Sequence, residues 1–291
     1  QDPHLEEVGW ENFLGMTISQ AVLWAATDVD PKHENPELTT SEPYVMGSHA
    51  TGSGAWCSGP EDVSPPEYFW GYNRMMTIEG LFGAGDAVGG TPHAFSSGSF
   101  TEGRLSAKAA CRYIDDGKGE GIVVSDKRIN ELKEKIYKPM EHYKIYRNEV
   151  VAGDVNPNYI NPRQGLDRLQ KLMDEYCGGA TVSYMTNEKL LSIGLKKLKV
   201  MEEDLEKLAA SDFHELLRAW ELMHRHRTAE CVTQHTMFRK ETRWPGYYYR
   251  GDAMKLDDEN WHVLTVSRRD PKTGEYTMEK APVYHLVKNG E

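Results

Sequence analysis

Apolar residues recur at helical spacing in several separate stretches of the chain. From Asn12 to Ala26, Phe13, Met16, Val22, Leu23 and Trp24 predict a helix that the Asp28-Val29-Asp30-Pro31 turn stops. Leu166, Leu169, Met173 and Tyr176 predict another, closed by Gly178-Gly179. Leu191, Leu195, Leu198, Leu205 and Leu208 form one stripe of a third. Asp212 and Glu215 have the spacing of a capping box, opening a helix through Phe213, Leu216, Leu217 and Trp220. The tail from Trp244 is aromatic and loop-rich, with a hairpin expected at Asp270-Pro271-Lys272-Thr273-Gly274.

Residues 44 to 115 break this pattern, because glycine and polar loops dominate them. Thr77 to Asp86 predicts a short buried strand that delivers Gly83, Gly85 and Asp86 at its carboxyl end, where ligands gather in α/β sheets. Glycine lets the backbone approach a ligand closely, and a carboxylate accepts hydrogen bonds from sugar-like hydroxyls. A plain turn after a strand accounts for the same residues equally well. Ser99 and Glu102 also have capping-box spacing, so a helix is expected to begin near Ser99 and run through Leu105 to Ile114. Its first N–H groups would favour an anion in front of Ser99 and Phe100, although most capped helices bind nothing.

Composition narrows the partners. In 291 residues, 34 Lys and Arg stand against 45 Asp and Glu, a formal charge of −11 that would repel a phosphate backbone, so no nucleic acid is expected. No run approaches the roughly 20 apolar residues that span a bilayer. Cys57, Cys111, Cys177 and Cys231 lie far apart without a CxxC pair, which predicts no metal site or locally spaced cluster and reduced thiols in a cytoplasmic protein. The amino-terminal stretch has no export signal and no Gly-x-Gly-x-x-Gly, so the chain is expected to be a fragment that begins in mid-protein.

The strand expected at Thr77, the loop carrying His93 and the helix expected at Ser99 resemble the second flavin-binding segment of the fumarate reductase and succinate dehydrogenase flavoprotein superfamily. Within it, the runs Tyr44 to Trp56, Gly89 to Phe100 and Arg243 to Arg250 are similar to the carboxyl-terminal part of adenylylsulfate reductase alpha subunits. The resemblance implies an incomplete α/β FAD-binding segment followed by a mainly α-helical domain with a loop-rich tail. It divides the chain into the end of a capping domain (1–43), the flavin segment (44–120) and a helical, carboxyl-terminal domain (121–291). It also implies interconversion of adenylylsulfate with AMP and sulfite through a bond between flavin N5 and sulfur. It further implies non-covalent FAD as the cofactor and an iron–sulfur beta subunit as the source of electrons.

Residue by residue, the resemblance puts His49, in His49-Ala50-Thr51-Gly52, on the substrate histidine and makes it the catalytic candidate. It puts Asp86 on the acid that holds a ribityl hydroxyl, and Ser99 and Phe100 on backbone donors to the flavin pyrimidine. Gly83, Gly85 and His93 complete the cofactor set, while Phe95 and Phe100 are candidates to stack on adenine. Dicarboxylate enzymes of the superfamily carry an arginine shortly after the loop histidine, where this chain has His93-Ala94-Phe95-Ser96-Ser97. A dicarboxylate oxidoreductase and an inert structural fragment are the alternatives. His224 to Arg227 and Asp257 to Glu259 are expected to be surface charge, Arg239 to Arg243 to join the flavin domain by ion pairs, and Trp244, Tyr247, Tyr248, Tyr249 and Trp261 to face the beta subunit.

Overall fold

The computed structural model describes residues 24–30, 33, 53–89, 95–121, 123–151, 156–243 and 248–283. The chain divides into two units, Gln1–Tyr44 and Val45–Glu291. In the first, residues 24–27 are helical and the helix ends at Asp28 in the left-handed region (φ 58°), where the acidic turn was expected to stop it. Residues 12–23 of that expected helix lie outside the described set.

The second unit is mainly helical. Helix α1 spans Phe95–Asp115 and α2 spans Asp126–Tyr146. Three further helices, α3 (Pro162–Tyr176), α4 (Glu188–Leu205) and α5 (Phe213–Phe238), build the main core. Their starts are written locally. Asn161 and Gln164 form a reciprocal capping box with Pro162 at the first position. Asn187 accepts from the Leu190 amide, and Asp212 accepts from the Glu215 amide. The Glu215 carboxylate reaches one residue further back than a capping box requires, to the amide and hydroxyl of Ser211. Helix α3 ends at Cys177, followed by Gly178 at φ 89°.

The apolar stripes meet as their spacing predicts: Leu169 and Leu172 of α3, Leu198 and Met201 of α4, and Ala219, Leu222 and Ala229 of α5 are buried together. Leu208 joins them from beyond the end of α4, in the turn that pairs with Ile160. Phe213 and Leu217 depart from expectation by facing outward, 70% and 55% exposed, because the buried face of α5 runs through Leu216, Ala219, Leu222, His226, Ala229 and Thr233. At Gly165 the helices approach so closely that a Cβ would lie 2.4 Å from Leu222 Cδ2.

Two small sheets complete the unit. Strands β1 (Met185–Thr186) and β2 (Tyr249–Arg250) pair in parallel, Met185 opposite Tyr249 and Thr186 opposite Arg250. The short helix α6 (Asp258–Trp261) leads into β3 (Val263–Arg269), which pairs antiparallel with β4 (Tyr276–Pro282). The hairpin turn falls where expected: Asp270 Oδ1 accepts from the amides of Lys272 and Thr273, and Gly274 takes φ 75°. Val266 and Ala281 on this hairpin pack with Tyr68, Trp56 and Trp70, which joins the carboxyl-terminal part to the glycine-rich segment. Among the described residues, no helix is long and apolar enough to cross a membrane.

Candidate functional site

The glycine-rich segment is organised by a backbone crossing. Ala55 and Val88 form an isolated parallel bridge, in which the Ala55 amide donates to Ala87 O (2.8 Å) and the Gly89 amide donates to Ala55 O (3.1 Å). A Cβ at Gly54 would lie 2.6 Å from Gly89 N and 2.7 Å from Val88 C, so only glycine permits this approach.

Between the crossing strands, residues 74–83 fold back on themselves. The expected strand over Thr77–Asp86 is not formed: Met75 and Phe82 make an antiparallel bridge, Gly80 turns at φ 79°, and Ile78 and Leu81 are 64% and 45% exposed at the tip. The run reads as a short buried strand ending in glycines and an acid, but the positive φ at Gly80 reverses the chain before a strand can extend. Gly83 is buried beneath this turn against Met76 and Val88, and Gly85 to Ala87 form a single 3₁₀ turn.

Helix α1 begins at Phe95, four residues before the start expected at Ser99. The free amides of its first helical residues are therefore those of Phe95 to Ser97, while those from Gly98 onward, Ser99 and Phe100 included, fall within helical bonding reach. Glu102 does not serve as a capping partner. It is buried, and its carboxylate takes the guanidinium of Arg74 through Nε and through Nη2 at 3.0 Å. Arg74 Nη1 reaches Asn73 Oδ1 at 3.1 Å and Ser58 O at 3.5 Å. Spacing alone matched Glu102 to Ser99, but a buried carboxylate requires a charged partner, and it lies 28 residues earlier.

These elements bring several candidates together. Gly85, at φ 66°, faces Ser99: a Cβ there would lie 3.4 Å from Ser99 Oγ. The 3₁₀ turn bearing Asp86 thus packs on the first turns of α1. Ser99 is exposed and Phe100 is 80% exposed beside it, so Phe100 takes no part in the core. Phe95 opens the helix. His49 and His93 lie outside the described residues. Cys57 sits behind the site, where burial pushes its thiol above the ordinary range. The donors at the head of α1, the exposed Ser99 hydroxyl, an acid on a tight turn and glycines without side chains make a set suited to a polar, planar cofactor.

Comparison with known proteins finds long matches. The chain is 42% identical to the alpha subunit of adenylylsulfate reductase from Megalodesulfovibrio gigas, over 99% of its own length and 44% of that relative. It is also similar to the solved adenylylsulfate reductase of Archaeoglobus fulgidus: 51% identity, 98% of this chain, 45% of that one, TM-score 0.86. Nearly the whole chain is therefore similar to part of the adenylylsulfate reductase alpha subunit, at 42–51% identity. It spans less than half the length of the relatives it matches. A solved adenosine-5-phosphosulfate reductase in complex with sulfite, described as a covalent adduct, matches at 50% identity over 98% of this chain and 45% of that one, with a TM-score of 0.85. Residues 166–287 match the family described as fumarate reductase flavoprotein C-term.

That match begins in α3 and takes in β3 and β4, so the region similar to the flavoprotein C-terminal family holds the helical core and the hairpin. The basic cluster divides as adjacent helical positions must. His226 is buried with Nε2 2.8 Å from Leu198 O, whereas Arg227 pairs with Glu202 and Glu230. His226 therefore corrects the expectation of a wholly solvated face. The acid run is local structure: Asp257 caps α6 and Asp258 pairs with Arg243. Arg239 and Arg243 converge on the buried carboxylate of Glu241, and Lys240 pairs with Glu188, bonds made within the carboxyl-terminal part. Burial holds Tyr248 up at about 12, and Trp261 packs against Phe238 with Lys280 over its ring, while Trp244 and Tyr247 lie outside the described residues.

Sequence reasoning missed Arg74. Its only signal was an isolated arginine preceding the Thr77 run, and its importance comes from a partner distant in sequence.

Proposed function

We propose that the polypeptide is the flavoprotein subunit of an adenylylsulfate reductase that interconverts adenylylsulfate with AMP and sulfite. The observation that carries the reading is half-identity to solved reductases across nearly the whole chain. FAD, when bound, supplies a two-electron carrier with an electron-rich ring in its reduced form. Asp86 is assigned to a ribityl hydroxyl, with Gly83 and Gly85 admitting the cofactor to the backbone. The head of α1, with the free amides of Phe95 to Ser97 and the exposed Ser99 hydroxyl one turn on, is assigned to the pyrimidine edge, where its dipole favours negative charge. His93 belongs to the same loop. His49 donates a hydrogen bond, or a charge, to a sulfate oxygen, and Phe95 or Phe100 offers a face to adenine.

The segment Ala94 to Ser97 lacks the arginine that would protonate a substrate carbon, which favours chemistry at sulfur over a dicarboxylate reaction. An iron–sulfur beta subunit in the cytoplasm is the assigned electron partner. Its clusters would supply what this chain's scattered cysteines do not. The test is AMP- and sulfite-dependent reduction of ferricyanide by the FAD-loaded holoprotein. His49→Ala is expected to lower turnover about 100-fold, the scale of losing one donor to developing charge, while the flavin absorbance stays. Unchanged turnover would remove His49 from the mechanism, and fumarate-dependent oxidation of the reduced flavin without the sulfite reaction would favour the dicarboxylate reading.

A further inference from the structure

We infer that Arg74 and Glu102 form a latch that positions the cofactor-facing end of α1, an inference that rests on the flavin reading above. Glu102 stands one turn after Ser99, and its side chain is 4% exposed. A carboxylate is removed from water only where something holds it, and here the guanidinium of Arg74 does so with two of its nitrogens. The same guanidinium turns its remaining nitrogen to the Ser58 carbonyl and Asn73, so one side chain spans loop and helix.

The backbone of Arg74 carries the connection further. Its amide donates to Ser58 O (2.7 Å) and its carbonyl accepts from the Gly83 amide (2.9 Å). It holds φ 64°, a conformation in which non-glycine residues are uncommon and which the surrounding bonds must impose. Ser58 is itself fully buried, with its hydroxyl accepting from the Trp70 amide at 2.8 Å. Arg74 therefore links the segment leaving the glycine crossing, the segment leaving the Gly80 turn, and the helix.

The two ends of α1 are anchored differently. At the far end, Tyr113 stacks edgewise with Tyr72 and Phe82, at 5.2 and 5.9 Å between centroids, and the Tyr72 hydroxyl donates to Asp116 at 2.8 Å. At the near end stand the latch and the packing of Gly85 on Ser99. Opening the latch thus frees the first turns of α1, which carry the amides and the Ser99 hydroxyl, while the aromatic anchor keeps the helix docked. Arg74 and Glu102 act on each other and on the backbone, which makes them positioning residues.

The test compares wild-type holoprotein with an Arg74→Met/Glu102→Leu double variant, which removes both charges together and so orphans neither. FAD is titrated into each apoprotein, and the apoprotein melting temperature and flavin midpoint potential are read alongside. The latch predicts an unaltered melting temperature, an FAD dissociation constant raised at least about tenfold, and a shifted potential. Arg74→Lys keeps the charge but loses the two-pronged contact, and is expected to fall between wild type and the double variant. A double variant that melts and binds FAD like wild type overturns the latch. If the double variant does not fold, unchanged FAD affinity in Arg74→Lys overturns it instead. Wild-type protein that takes up no FAD defeats the cofactor reading and the latch with it, an outcome distinct from either.

Discussion

Replacing Arg250 with methionine is expected to destabilise the protein by about 3–5 kcal/mol, because it leaves several backbone acceptors without their donor, at about 1–3 kcal/mol each. Arg250 is 1% exposed. Its Nη1 donates to the carbonyls of Thr236, Met237 and Arg239, where α5 ends, so it satisfies acceptors that the last turn of a helix leaves unpaired. Its Nε and Nη2 donate to the two oxygens of Asp252 at 2.9 and 3.0 Å. Asp252 in turn accepts from the Glu188 amide at the head of α4. The pair thus sets a cation at the negative end of one core helix and an anion at the positive end of the next, each on the side its dipole favours. With roughly 2–4 °C of melting temperature per kcal/mol for a domain of this size, the fall should be on the order of 10 °C in a thermal melt.

The same pair carries a pH signature. The Arg250 guanidinium holds the Asp252 carboxyl down to about 2, from an ordinary value of 3.8. A depressed folded-state value stabilises the native protein above pH 3.8, and that contribution is lost as pH falls towards 2. Urea melts from pH 5 downwards should therefore show wild type losing part of its advantage over Arg250→Met between about pH 4 and 2. An advantage constant across that window would mean that Asp252 is not held by Arg250 in solution.

Arg250 also marks the boundary of what the sequence revealed. The three core helices were legible because each carries its own periodic stripe, and the hairpin turn because Asp270 and Gly274 make its bonds within six residues. Local rules failed where a distant partner decided the outcome. Glu102 has the spacing to cap a helix at Ser99, yet Arg74 takes its carboxylate. Thr77 to Asp86 reads as a short buried strand, yet Gly80 turns it back. Asn161 and Gln164 form a capping box that the sequence did offer and that apolar periodicity overlooked. At the site, the adjacency of Gly85 and Ser99 could not be read from a glycine and a serine alone, because the fold that joins them runs through Arg74 and the Ala55–Val88 bridge.

Gly54→Ala should test that bridge most directly. The added methyl would stand 2.6 to 2.8 Å from three backbone atoms of residues 87–89, too near for any side-chain rotation to relieve. Either the bonds between Ala55 and residues 87 and 89 lengthen, or the turn carrying Asp86 shifts against α1. The expected cost is about 1–3 kcal/mol of stability, as for other overpacked sites, and a loss of FAD affinity of about tenfold or more, since the displaced turn bears the proposed ribityl acceptor. Gly103→Ala on α1 is the matched control. Nothing lies within 4 Å of its added carbon, and it should gain about 0.5–1 kcal/mol from helix propensity with FAD binding unchanged. The measurement is FAD titration with a parallel melt for both variants. Wild-type affinity in a measurably destabilised Gly54→Ala protein would separate the glycine crossing from the cofactor, and equal losses in the two variants would assign the effect to α1 rather than to the crossing.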